Sequence, residues 1–125
     1  MCGVYACLGS PLAANETFNG LKQLQYRGYD SWGVAYSNQN QLAVYKSLDA
    51  IDSFDDSPLE SSSQIAIGHT RWASHGEVSL NNCHPLIASH KQFCVVHNGI
   101  VENLHALSAQ TVDNDTALIL QLLEA

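Results

Sequence analysis

The chain begins with the stretch MCGVYACLGSP, which occupies positions 1–11. Residues 2–8 form a short apolar run, and the Gly-Ser-Pro sequence that follows is typical of a turn. This pattern predicts a buried strand, so the chain is expected to begin inside a sheet. Cys2 would then lie at the start of the first strand.

The segments that follow predict a helix and a hairpin. Residues 13–26 place apolar side chains at helical spacing, with Asn15 available as an N-cap and Gly28 just past the end. Two β-rich runs at 32–37 and 42–47 flank four polar residues, which is the pattern of a β-hairpin. We expect the helix to cover the first strand.

A polar stretch separates the hairpin from the next strand. Residues 49–63 are acidic and serine-rich, so they suit a solvated helix or loop, and we expect this segment to be the most dispensable one. Residues 65–68 are apolar again and predict a strand. This strand is expected to end in a polar loop that begins at His69.

The last third of the chain predicts one more strand and two helices. Residues 92–97 are β-rich and end at Asn98-Gly99, a dipeptide favoured where the backbone takes positive φ. Helical patterns follow over 102–108 and 115–125. The predicted architecture is one α+β domain, residues 1–125, with a largely antiparallel sheet.

Charge and composition exclude several classes of function. The 125 residues are 46% hydrophobic and carry a net charge of −7, which repels both nucleic acid and an anionic membrane surface. No apolar run reaches the roughly 20 residues that span a bilayer, and no signal peptide is recognisable. We therefore expect a cytoplasmic protein whose four cysteines are reduced.

Cys2 is the first candidate catalytic residue. Removal of Met1 would place a thiol and an α-amino group on the same amino acid. An α-amino group has a pKa near ~8, close to that of a cysteine thiol, so it can take the thiol proton at neutral pH. From these residues alone, the alternative is an inert cysteine in a buried strand.

Two polar loops supply further candidates. Asn98 and Gly99 offer a side-chain amide and an unobstructed N–H, which together can form an oxyanion hole; the alternative is a simple tight turn. Arg71 can bind an α-carboxylate through both arms of its guanidinium, and Ser74 can add a hydroxyl. Asp115 can pair with an α-ammonium group. Ordinary structural ion pairs are the alternative for Arg71 and Asp115.

Taken as a set, these residues resemble the class II glutamine amidotransferases, and most closely the glutaminase domains of glucosamine-6-phosphate synthases. The resemblance extends from residue 1 to about 120. It rests on five blocks in the same order, which are MCGV at 1–4, LQYRGYDSWG at 24–33, GHTRWASHGE at 68–77, HNGIVEN at 97–103, and DT at 115–116.

The resemblance implies a fold, a reaction and a set of site residues. The fold would be the αββα sandwich of N-terminal-nucleophile hydrolases, apparently truncated because the chain stops at residue 125. Cys2 would attack glutamine and Asn98 with Gly99 would hold the oxyanion, with no cofactor. The glutamine pocket would contain Arg71, Ser74, His75 and Asp115, and Trp72 would gate ammonia passage.

The resemblance also implies partners. The released ammonia would pass to a sugar isomerase domain, absent from this chain, that makes glucosamine 6-phosphate from fructose 6-phosphate. Uncovered sheet faces would favour self-association into a homo-oligomer. One alternative is a catalytically weak fragment of that family with a glutamine-binding or regulatory role. A second alternative, a metal site at Cys83, His84, His90 and Cys94, is disfavoured because the spacing is not a zinc pattern.

Overall fold

A computed structural model describes residues 2–28, 30–55, 59, 63–72, 78–107 and 115–125. These residues form two antiparallel sheets and three α-helices. The elements in chain order are β1 (Gly3–Leu8), α1 (Ala13–Leu24), β2 (Ser31–Asn38), β3 (Gln41–Ser47), β4 (Ile65–Arg71), β5 (Leu86–Ile87), β6 (Cys94–Val95), α2 (Leu104–Leu107) and α3 (Asp115–Glu124).

The larger sheet has four strands in the order β1-β4-β2-β3, and every neighbouring pair is antiparallel. The antiparallel sheet, the first strand and the hairpin are therefore confirmed. Thr70 of β4 lies opposite Gly3 on one side and opposite Trp32 on the other. The central strand β4 thus fixes the register of β1, and with it the position of Cys2.

Helix α1 covers one face of this sheet, as predicted. Phe18 and Leu21 are fully buried against it, and Phe18 contacts the rings of Trp32 and Phe54 at centroid distances of 5.3 and 5.2 Å. The predicted cap is wrong, because the helix starts before Asn15. The Ala13 N–H is bound instead by a backbone oxygen, the Ser63 carbonyl at 3.2 Å.

The stretch 49–63 is not a dispensable solvated segment. Ile51 and Leu59 are 4% and 0% exposed and belong to the same hydrophobic core as α1. The prediction was wrong because the acidic residues dominate the composition, whereas two apolar side chains are enough to anchor the segment on the sheet. In the described range 49–55, the only helical element is a short 3₁₀ turn at Ile51–Ser53.

The later strands differ in length from the predicted ones. Strand β4 continues through His69 and Thr70 to Arg71, because β1 and β2 supply hydrogen-bond partners on both sides. The predicted strand 92–97 is reduced to the two residues of β6, which pair only with β5. The two predicted helices are present as α2 and α3. Within the described ranges, no helix is long and apolar enough to cross a bilayer.

Candidate active site

Cys2 lies beside the end of the central strand β4. The residue is half-buried, and its Sγ accepts a hydrogen bond from the Trp72 N–H at 3.3 Å. The Gly3 N–H donates to Thr70 Oγ1 at 3.1 Å, so the following residue is also attached to β4. The sulfur therefore has a fixed place next to the residue that follows Arg71.

The Cys2 carbonyl connects this place to two other parts of the chain. It accepts Asn98 Nδ2 at 2.8 Å, across 96 residues of sequence, and Arg27 Nε at 3.2 Å. An asparagine amide has two N–H groups. One N–H of Asn98 thus holds the backbone of Cys2, and the second has no acceptor among the residues that the structure describes.

Asn98 and Gly99 are both exposed, and neither has positive φ. The predicted backbone conformation was therefore wrong. A two-residue hairpin turn is not required here, because among the described strands β6 pairs only with β5, which precedes it. The positive-φ pair lies instead at Gln39 and Asn40, in the hairpin between β2 and β3.

Arg71 is the last residue of β4 and is 5% exposed. Its carbonyl accepts the Asp30 N–H at 3.1 Å. Gly28 lies directly against the Arg71 backbone, where a Cβ would be 2.6 Å from the carbonyl carbon. Trp72 follows with 46% of its surface exposed. The predicted Ser74 and His75 lie outside the described residues.

Asp115, the first residue of α3, is joined to the segment that follows Asn98. Its Oδ2 accepts the Val101 N–H at 2.8 Å, and its Oδ1 is 4.0 Å from His97 Nδ1. The Asp115 carboxylate therefore binds the backbone of the segment that follows Asn98. Its role towards a substrate ammonium group stays a prediction.

Arg27 and three neighbouring histidines, His69, His84 and His97, contact this region, although none of them was assigned a role in glutamine hydrolysis from the sequence. His69 Nε2 lies 3.1 Å from the His97 carbonyl, and the rings of His69 and His84 are 4.2 Å apart. A signal was available, because Arg27 lies in one of the five blocks and His69 and His97 lie close to the predicted strand ends.

Burial controls the charge of two of these histidines. Loss of solvent lowers the pKa of His69 to about 4, although its hydrogen bond to the His97 carbonyl opposes the change. The pKa of His84 falls to about 3, first through burial and then through repulsion from His69, once acid has protonated it, and from the Arg71 guanidinium. Both imidazoles are therefore neutral at neutral pH.

The residues of the disfavoured metal site have other surroundings. Cys83 is fully buried, and its thiol donates to the Trp32 carbonyl at 3.0 Å. In the part of the chain that the structure describes, no group of three or more His, Cys, Asp or Glu side chains is placed to hold a metal ion.

Comparison with known families identifies a match over nearly the entire chain. The family model described as "Glutamine amidotransferases class-II" matches residues 2–118. The glutamine–fructose-6-phosphate aminotransferase (isomerizing) of Chlamydia muridarum is 41% identical over 98% of this chain. The enzyme of the same name from Bacillus thuringiensis is 37% identical over 99% of it. The chain spans 22% of the length of each relative.

Solved structures give the same fold. The glutamine phosphoribosylpyrophosphate amidotransferase of B. subtilis, complexed with ADP and GMP, matches 99% of this chain with a TM-score of 0.80 and 26% identity. A structure described as the allosteric regulatory enzyme of purine biosynthesis matches with a TM-score of 0.82 and 26% identity. The match covers 29% of each of those chains. The predicted α+β fold of the N-terminal-nucleophile type is confirmed.

Proposed function

Because this chain belongs to the class II glutamine amidotransferase family, we propose that it hydrolyses the side-chain amide of glutamine to glutamate and ammonia. Cys2 is the nucleophile once Met1 is removed. The contacts that support this assignment most directly are those of Cys2, whose sulfur meets the Trp72 N–H and whose carbonyl meets the Asn98 amide. Segments that are far apart in the sequence therefore meet at Cys2, one at its sulfur and another at its carbonyl.

The proposed reaction begins with transfer of the thiol proton to the α-amino group of the same residue. The sulfur then adds to the amide carbon of glutamine, and the carbonyl oxygen becomes negative. The second N–H of Asn98 and the backbone N–H of Gly99 stabilise that oxygen. One such donor contributes about 10² to 10³ in rate.

Collapse of this intermediate breaks the C–N bond. The α-ammonium group of Cys2 returns its proton to the departing nitrogen, which leaves as ammonia. The remaining thioester is attacked by water, whose proton passes to the same amino group, and glutamate is released with the thiol restored. Every proton transfer uses the N-terminal residue, so no histidine base is required.

The proposed glutamine pocket includes Arg71, the last residue of β4. The Arg71 guanidinium and the Ser74 hydroxyl bind the α-carboxylate, together with His75, and Asp115 binds the α-ammonium group. Trp72, which is exposed beside Cys2, controls the passage of ammonia. The low exposure of Arg71 favours a strong bond to a carboxylate, because a charged pair shielded from water is weakly screened.

The acceptor of the ammonia is proposed from the relatives. Two of them are named as glutamine–fructose-6-phosphate aminotransferases, of which this chain spans 22%. We propose that residues 1–125 are the glutaminase part of such a system. A synthase or isomerase domain would then convert fructose 6-phosphate to glucosamine 6-phosphate in the cytoplasm, where free cysteines stay reduced.

The test is covalent labelling with a diazo-ketone analogue of glutamine, followed by peptide mass spectrometry. The expected result is loss of Met1 and a single label on Cys2. Cys2→Ala should abolish labelling and lower glutamate release by at least about 10³-fold. Cys7→Ala is the matched control, since Cys7 is another half-buried cysteine, within β1, whose thiol donates to Glu16 at 3.1 Å.

Two outcomes contradict the proposal. One is labelling that survives in Cys2→Ala. The other is undiminished glutaminase activity in a variant with one extra residue retained before Cys2, because the amino group would then be a peptide N–H. Glutamine binding that is unchanged by Cys2→Ala, without glutamate release, would indicate the alternative of a binding or regulatory module.

A further inference from the structure

The peptide groups on either side of His97 lie between two imidazole rings. The His97 N–H donates to His84 Nδ1 at 3.3 Å, and the His97 carbonyl oxygen is 3.1 Å from His69 Nε2. His69 and His84 therefore hold both backbone polar groups of the residue that precedes Asn98. We call this pair the histidine clamp.

These contacts define the protonation of the clamp. A carbonyl oxygen can only accept, so His69 Nε2 carries its proton, and a backbone N–H can only donate, so His84 Nδ1 is bare. His69 Nδ1 is buried without a hydrogen-bond partner among the described residues, which is tolerable for an unprotonated nitrogen. The low pKa of each imidazole agrees with two neutral rings, as does the presence of Arg71, Lys46 and His97 around His84.

The clamp is attached to the same sheet that holds Cys2. His69 belongs to β4 and lies opposite Val4 of β1, two residues after Cys2. The His84 carbonyl lies so close to Gly33 of β2 that a Cβ at position 33 would collide with it. Movement of the His97 backbone relative to Cys2 is therefore resisted from two strands.

We propose that His84 is a positioning residue for the oxyanion hole, holding the His97 N–H so that Asn98 and Gly99 face Cys2. This inference rests on the proposed function of those three residues. His84 does not contact the reacting atoms in this arrangement. Loss of its acceptor should displace the donors, and a displacement of about 1 Å can cost about 100-fold in rate.

A matched pair of variants tests the hydrogen bond itself. His84→Asn retains an acceptor oxygen near the position of Nδ1, whereas His84→Leu has nearly the same shape as the asparagine variant but no acceptor. We expect His84→Leu to lower kcat for glutamine hydrolysis by about 10- to 100-fold with little change in KM. His84→Asn should stay within about threefold of the wild-type kcat. Equal kcat values for the two variants would overturn the proposal.

A second measurement does not depend on activity. Amide hydrogen exchange at His97 should become faster in His84→Leu and remain slow in His84→Asn. In the unmodified protein, long-range proton–nitrogen NMR should find the His84 proton on Nε2, and a proton on Nδ1 would overturn the proposal even if neither variant folds.

The two measurements also separate this inference from the proposed function. If the wild-type protein neither hydrolyses glutamine nor reacts with the diazo-ketone analogue, the proposed function fails. Exchange at His97 and the His84 tautomer then still decide whether the clamp holds this backbone.

Discussion

The four-stranded sheet and the segment from residue 94 to residue 101 hold their candidate reactive groups by different means. In the sheet, Cys2 is placed by strand register, since β1 pairs with β4 along six residues. In the second region, β6 has only two residues, and Asn98 is exposed. The backbone of this segment is held by side chains. The imidazoles of His84 and His69 bind the His97 backbone, and the Asp115 carboxylate binds the Val101 N–H.

The nucleophile and the oxyanion donors of the proposed reaction are therefore held in place by different kinds of contact. A ladder of backbone hydrogen bonds is insensitive to most side-chain changes, because every residue type except proline can form it. A segment held by side chains depends on a few particular residues. We therefore expect the nucleophile to keep its position through most substitutions, and the oxyanion donors to be lost through single ones.

The largest effect is expected at Asn98. Asn98→Leu removes the amide that reaches Cys2 while preserving the size of the side chain, and kcat should fall by about 10² to 10³. Because Asn98 is exposed, the free energy of unfolding should change little. Glutamate release and urea denaturation measure the two effects. Asn103→Leu, at another exposed position, is the control, and an equal loss of kcat there would contradict the assignment.

The next effect concerns the stability of the sheet region. Leu59→Ala should lower the free energy of unfolding by about 2 to 4 kcal/mol, because Leu59 is fully buried in the core beneath the sheet. Leu48→Ala, at a leucine that is 42% exposed, should cost less than about 1 kcal/mol. Denaturant titration compares them. If both variants lost the same small amount of unfolding free energy, Leu59 would not belong to the hydrophobic core, as the composition of the stretch 49–63 alone suggests.

A smaller effect is expected from acid, and it acts through the clamp. The pKa values of His69 and His84 are about 4 and about 3 in the folded protein, below the ~6.5 of an unfolded histidine. The unfolded chain therefore binds more protons, so stability falls as pH drops from about 6.5 towards 4. Each histidine contributes about 1.4 kcal/mol per pH unit inside that window.

The variant His84→Asn isolates this contribution. Urea denaturation at pH 7, 6 and 5 gives the free energy of unfolding at each pH. Its slope with pH should correspond to about one proton fewer taken up on unfolding than in the wild-type protein. His105→Asn, at an exposed histidine outside the clamp, controls for the loss of a histidine elsewhere. An unchanged pH dependence in His84→Asn would mean that His84 is not held neutral by burial.

Most of the elements of the fold could be predicted from local patterns. The first strand, the helix after it and the hairpin follow from apolar spacing and turn residues, and they form as expected. The extent of β4 could not be predicted, because His69, Thr70 and Arg71 are polar and join the strand through partners on β1 and β2. Conversely, β6 is short although its sequence is β-rich, since only two residues find a partner.

The candidate site shows the same division. The sequence identified Cys2, Asn98 and Arg71 by their chemistry and by the five blocks, and the structure brings Cys2 and Asn98 into contact through one backbone carbonyl. Arg27 and the histidine clamp were not assigned, because their place in the blocks or near strand ends does not show which backbone groups they bind, and that depends on where those groups lie. Ser74 and His75 stay predictions.

The sequence alone determined which residues carry reactive groups, the order of the elements, and the presence of a strand directly after Cys2, since these depend on residue type and on periodicity over a few positions. The tertiary structure alone decided that the Asn98 amide reaches the Cys2 carbonyl and that His69 and His84 hold the backbone of His97. The reason is that such contacts join residues from 13 to 96 positions apart, whose approach is set by the packing of whole strands.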